Sequence, residues 1–137
     1  MNKYLAKIIA TDKEGLQMIS ACSSGAKVKV SDIKYLESNK VFLLSIERIK
    51  VENENEDKKV NSICRFDFVD KVKSKNIDQS NQELVLELVG IDYLKNNDLY
   101  EINLFFSNNA HIALTAETIE AILDCLLYTS DAADDAN

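Results

Sequence analysis

The residues able to do chemistry in this chain are few, and their spacing limits what each can do. A metal site needs His, Cys or carboxylate side chains clustered at usable intervals. There is one histidine, His111, and the cysteines Cys22, Cys64 and Cys125 form no CxxC pair. No metal and no cofactor is therefore expected, and the thiols read as reduced and packed. Gly15, Gly25 and Gly90 lie too far apart for a phosphate-binding loop. Ser20, Ser23 and Ser24 lack a nucleophile elbow. Asp67 and Asp70, three residues apart beside a strand bend, read as solvent-facing carboxylates rather than an acid–base pair. Histidine is the residue type that changes charge near neutrality, but His111 follows an exposed turn, so it reads as an edge-strand histidine rather than a catalytic one.

One cationic arrangement stands above this background. Arg65, Lys71, Lys73 and Lys75 share parity, and Arg48 from the preceding strand can join them. Same-parity residues of a strand share a face, so these five form a candidate anion- or partner-binding patch. The plainer reading is a solvated strand face or a sheet edge guarded by lysines. A bulge near Val69 and Asp70 would break the patch, because a one-residue slip reverses every later side chain.

The elements that must position these residues follow from periodicity. Residues 3–10 alternate as a first strand. Thr11 and Glu14 have capping-box spacing, and Leu16, Ile19 and Cys22 continue a helix over about 12–23 that Gly25 ends. Val28 and Val30 open a second strand whose parity slips near Ser31 and Asp32. A polar turn at 37–40 leads into a strand at 41–49. The charged run 52–61 has no period and reads as a flexible loop. Strands are then predicted at 62–69, with its parity carried on to Lys75, and over 83–89, 99–106 and 111–114. The turns between them fall at 77–82, 96–98 and 107–110, the last two rich in Asn, which tolerates left-handed backbone. Thr115 is a good N-cap, and Ile119, Ile122, Leu123 and Leu126 form an apolar stripe, which predicts a terminal helix. The expected class is α+β: an antiparallel meander of six to seven strands with an N-terminal and a C-terminal helix. That order also suggests a pleckstrin-homology-like half-barrel, an analogy of fold without functional weight.

At 137 residues with 46% hydrophobic and 28% charged residues, the chain is long enough for one domain with a real core. Its net charge of −7 counts against general nucleic-acid or anionic-membrane binding. No apolar run approaches a membrane span, and Met1 to Lys7 carries no signal-peptide pattern, so a cytoplasmic location is expected. The leading function class is a non-enzymatic module binding a protein or an anionic small molecule. One alternative is an enzyme of unfamiliar type using Arg48, Arg65 and Asp67. The other is a weak nucleic-acid binder through strand 65–75, with Tyr93 or Tyr100 stacking.

Five stretches carry a family resemblance. They are Leu5-Ala6-Lys7-Ile8-Ile9-Ala10-Thr11-Asp12 and Val28-Lys29-Val30-Ser31-Asp32-Ile33-Lys34-Tyr35-Leu36, then Arg65-Phe66-Asp67 with Ser74-Lys75-Asn76-Ile77-Asp78, and Thr118-Ile119-Glu120-Ala121. Over about residues 4–124 the chain resembles an uncharacterised bacterial family, domain of unknown function 2948. The resemblance implies a small cytoplasmic protein with no assigned activity. The chain departs from it at Glu47-Arg48-Ile49-Lys50-Val51, where the family has an Asn-Arg-aromatic ending and only Arg48 carries over. The last stretch, from Cys125 to Asp135, is similar to translated sequencing adapter. The expected division is thus a domain over 1–125 and a non-native, disordered tail over 126–137.

Overall fold

The structure, a computed structural model, describes residues 3–53 and 56–128. Along the chain these are β1 (Lys3–Ala10), α1 (Lys13–Ser23), β2 (Lys27–Lys29), β3 (Ile33–Leu36), β4 (Val41–Asn53) and β5 (Glu56–Phe66). They continue as β6 (Val69–Lys75), β7 (Val85–Asn96), β8 (Leu99–Phe106), β9 (His111–Ala116) and β10 (Ala121–Tyr128). Every pairing is antiparallel, in the order β1-β10-β5-β4-β2-β7-β8-β9-β6, with β3 beside β4. The class is α+β as expected.

Alternation builds one core. Phe42, Leu44 and Ile46 of β4 and Cys64 and Phe66 of β5 point inward, and the register sets Phe42 opposite Phe66 with ring centroids 6.3 Å apart. Leu88 of β7, Ile102 and Leu104 of β8, Leu114 of β9 and Leu123 of β10 join the same buried cluster. Burying each such side chain contributes about 1.5–3 kcal/mol, the main force closing the sheet around them.

α1 adds Leu16 and Ile19 to that core. Its cap is Asp12, whose carboxylate accepts the Gly15 N–H at 2.9 Å, so the box expected from Thr11 does not form. Gly15 lets the helix lie tight on β1, because a Cβ there would come within 2.7 Å of Ala10 Cα. Gly25, at φ +85°, ends the turn after the helix and donates its N–H to Leu88 O at 2.7 Å, which ties that end to β7. No described helix is long and apolar enough to cross a membrane.

Several expectations are corrected. The terminal helix is absent: Thr115 lies in β9, and 121–128 form β10 between β1 and β5. Ala121 and Leu123 satisfy a strand's alternation as well as the stripe satisfies a helix. A short apolar run cannot be told apart by period, and two flanking strands decide in favour of pairing. With that helix goes the order of elements that pointed to a pleckstrin-homology-like half-barrel, and the sheet has ten strands instead of six to seven. Of the supposed loop at 52–61, residues 52–53 belong to β4 and 56–61 to β5, paired as far as Asn53 with Glu56, because ladder hydrogen bonds need no apolar period. The long strand through 62–75 is two strands, β5 and β6. Finally, β10 reaches Tyr128, so 126–128 belong to the sheet; 129–137 lie outside the described residues.

The break between β5 and β6 is a corner. The β5–β10 pair bends at Asp67–Phe68 and at 117–120 and continues as the β6–β9 pair. Asp67 N–H donates to Glu120 O at 2.9 Å and Glu117 N–H to Phe68 O at 3.1 Å across the bend. Phe68 takes φ +60° to make the turn. Beyond the corner the sheet stays open. β6 is its last strand and β3 pairs with β4 alone, so the two leave a seam between them. One end of the seam is pinned by Val69 N–H to Lys40 O at 2.9 Å. The segment after β6 crosses the other end, where Val30 N–H donates to Leu84 O at 2.9 Å and Ser31 N–H to Gln82 O at 3.1 Å.

Candidate functional site

β6 presents two different surfaces. The bulge anticipated near Val69 and Asp70 is present as a register shift between Val69 and Lys71, and beyond it alternation turns Lys71, Lys73 and Lys75 outward and half-buried Val72 inward. Register places Lys71 beside Thr115, Lys73 beside Ala113 and Lys75 beside His111 on β9. One strand further, on β8, the same rows meet Glu101, Asn103 and Phe105. The outer face thus carries a column of lysines flanked by a column of mostly small residues. At its Lys75 end, the imidazole of His111 stacks on the Phe105 ring, 5.2 Å between centroids and 17° between planes. His111 Nε2 lies 2.8 Å from Asn103 Oδ1. A shallow depression of about 580 Å³ opens there, lined by Lys75, Val89, Phe105, Asn109 and His111 among others. β9 lies between β8 and β6, so His111 is on an interior strand, which corrects the edge-strand expectation.

Several other cations of the sheet are paired. Lys27 pairs with Glu87 at 3.2 Å, Lys29 with Glu83 at 3.6 Å and Arg65 with Asp67 at 2.9 Å. Lys40 bridges Asp70 at 3.0 Å and Glu117 at 2.9 Å. Among the described residues Lys71, Lys73 and Lys75 form no ion pair.

Arg48 and Arg65 do not join the column. Arg65 stands opposite Leu43 on the outer face of the β4–β5 pair, on the far side of the corner from β6. Arg48 is an odd number of positions from Leu43, so it projects from the other face, where Nη1 donates to Cys22 O at 2.9 Å at the end of α1. Arg48, Arg65 and Asp67 therefore do not converge, and the geometry offers no enzyme centre built on them. Tyr93 and Tyr100, with ring centroids 5.8 Å apart, share rows with Ile102 and Lys95, the inward parity. They lie on the face opposite Lys71, Lys73 and Lys75, and the cation beside them is Lys95, whose Nζ is 5.7 Å from the Tyr100 ring centroid. The candidate carboxylates Asp67 and Asp70 are each taken by a cation, Arg65 and Lys40. No group of three potential metal ligands occurs among the described residues.

Two features went unread in the sequence. The first is the Lys40 cluster. Hydrogen bonding from Lys40 pulls the Asp70 carboxyl below its ordinary value, and bonds to Glu117 and then Asp70 raise the Lys40 ammonium. Burial first, and then the carboxylates of Glu37 and Asp70, raise the Tyr35 phenol, which stays protonated and donates to Val69 O at 2.8 Å. The second is the seam itself, a cleft of about 340 Å³. The inward parity of Val72 and Ser74 was the available signal for it; that β3 would face β6 was not.

A family model described as "Protein of unknown function (DUF2948)" matches residues 6–134. No curated protein and no solved structure matches the chain.

Proposed function

Since this chain belongs to the DUF2948 family, whose description names no activity, we propose its function from geometry: a non-enzymatic module that binds an anionic partner on the outer face of β6, β9 and β8. The observation that carries this reading is the unpaired lysine column on a protein of net charge −7. Lys71, Lys73 and Lys75 share one face of one strand and point into solvent beside small side chains that leave room for a ligand. The His111–Phe105 stack at the end of the column adds a flat, polar-edged surface. A rim of this kind acts mainly on association rate and on selectivity between partners.

The test uses a fluorescent acidic peptide and anisotropy. The full chain should bind it with an affinity that falls at least several-fold between ~0.05 M and ~0.5 M salt, as screening shortens from roughly 14 Å to 4 Å. Lys71→Glu with Lys73→Glu should abolish binding and leave the melting temperature nearly unchanged, because exposed lysines contribute little to stability. Equal binding by parent and double variant would remove the proposal.

A further inference from the structure

We infer that the seam between β3 and β6 is a second binding site, for a small uncharged molecule with an apolar body and a neutral hydrogen-bonding head. It lies on the opposite side of β6 from the lysines and does not depend on the anionic reading. Its floor is core: Phe42 is 1% exposed and Ile112 2%. Its walls are Val30, Ile33 and the Tyr35 ring on one side and Val72 and Ile77 on the other. The volume of about 340 Å³ falls within the roughly 300–1,000 Å³ typical of small-molecule sites.

The polar groups gather at one end. Ser74, Gln79 and Gln82 line the cleft where the segment after β6 crosses it. Gln79 Nε2 donates to Ser74 Oγ at 2.8 Å, and Gln82 Nε2 donates to Gln79 O at 2.6 Å. The first bond joins two side chains and the second ties Gln82 to the Gln79 backbone, and neither exhausts the groups it uses. The Ser74 hydroxyl keeps its own proton to donate, and Gln79 keeps its carbonyl oxygen to accept. A primary amide or an alcohol answers both. No Lys, Arg, His, Asp or Glu lines the cleft, so a carboxylate head would find no counter-charge there, and it has no N–H or O–H to give the Gln79 side-chain oxygen.

Octanamide and octanoate, equal in chain length, separate the two cases. In a two-dimensional amide NMR titration at near-neutral pH, octanamide should shift Val30, Ile33, Val72, Ser74, Gln79 and Gln82 saturably. Octanoate, lacking the donor for Gln79 and any counter-charge, should bind at least several-fold more weakly. Val72→Phe should fill the cleft and block octanamide; where that variant does not fold, the comparison of the two ligands on the unaltered chain decides. The Lys71→Glu, Lys73→Glu variant should bind octanamide as the parent does, so loss of the anionic site and loss of this one are told apart. Absence of saturable shifts, equal binding of octanoate, or shifts centred away from the seam would each overturn the inference.

Discussion

Lys40 shows how one side chain can hold a junction. It takes left-handed backbone at φ 59°, closes the turn between β3 and β4, and places its ammonium between Asp70 of β6 and Glu117 beyond β9. Three separate segments meet at this nitrogen. Asp70 titrates lower in the folded chain than in the unfolded one, so its contribution to stability is complete above the ordinary carboxylate range and is lost as pH falls through it. Lys40 titrates higher when folded, so its contribution holds below the ordinary lysine value and fades as pH rises beyond it. The stability gap between the parent and Lys40→Met should therefore be widest from about pH 5 to 10 and close below about pH 4. Urea midpoints across that range check it. A gap that persists in acid would assign the effect of Lys40 to the turn rather than to its charge.

At the scale of elements, the decisive feature is the corner that divides β5 from β6. Among the described residues, positive φ is otherwise confined to Asn, Lys and Gly; Phe68 is the one aromatic residue that adopts it. An L side chain in this region costs roughly 1–2 kcal/mol, and a β-branched one fits it worst. The bend repeats on the partner strand at 117–120, so the cost is set against a two-stranded ribbon that wraps the core. Phe68→Gly should keep the melting temperature within a few degrees or raise it, while Phe68→Val should lower it by several degrees, read by thermal circular dichroism. Equal effects of the two would show that the corner carries no conformational penalty. The same corner decides the cationic patch. It leaves Arg65 on one pair of strands and carries Lys71, Lys73 and Lys75 to another.

At the scale of the molecule, the last described strand completes the first. β1 pairs with β10 alone, and β10 joins it to β5, with Ala121 and Leu123 fully buried. Deleting 121–137 should therefore abolish the cooperative thermal transition. Deleting 129–137, whose only apolar residues are three alanines, should leave the melting temperature within about a degree, where a loss of ~1 kcal/mol would move it by roughly 3–5 °C. Parity and turn chemistry were legible in the chain itself. They placed α1, most of the strands and the Asn turns at Asn97, Asn108 and Asn109, because side-chain alternation and tolerance of left-handed backbone are local properties. Which strand lies beside which was not legible. Ile122 and Leu123 fit a helix or a strand equally, and two open ladders on β1 and β5 settled the matter. Arg48 and Arg65 looked like members of one patch until β4 and β5 paired in a register that sends them to opposite faces. The cleft over Phe42 and Ile112 exists because β3 and β6, distant in sequence, stop short of pairing. Such contacts depend on the summed packing of residues far apart in the chain, and only the tertiary structure decides them.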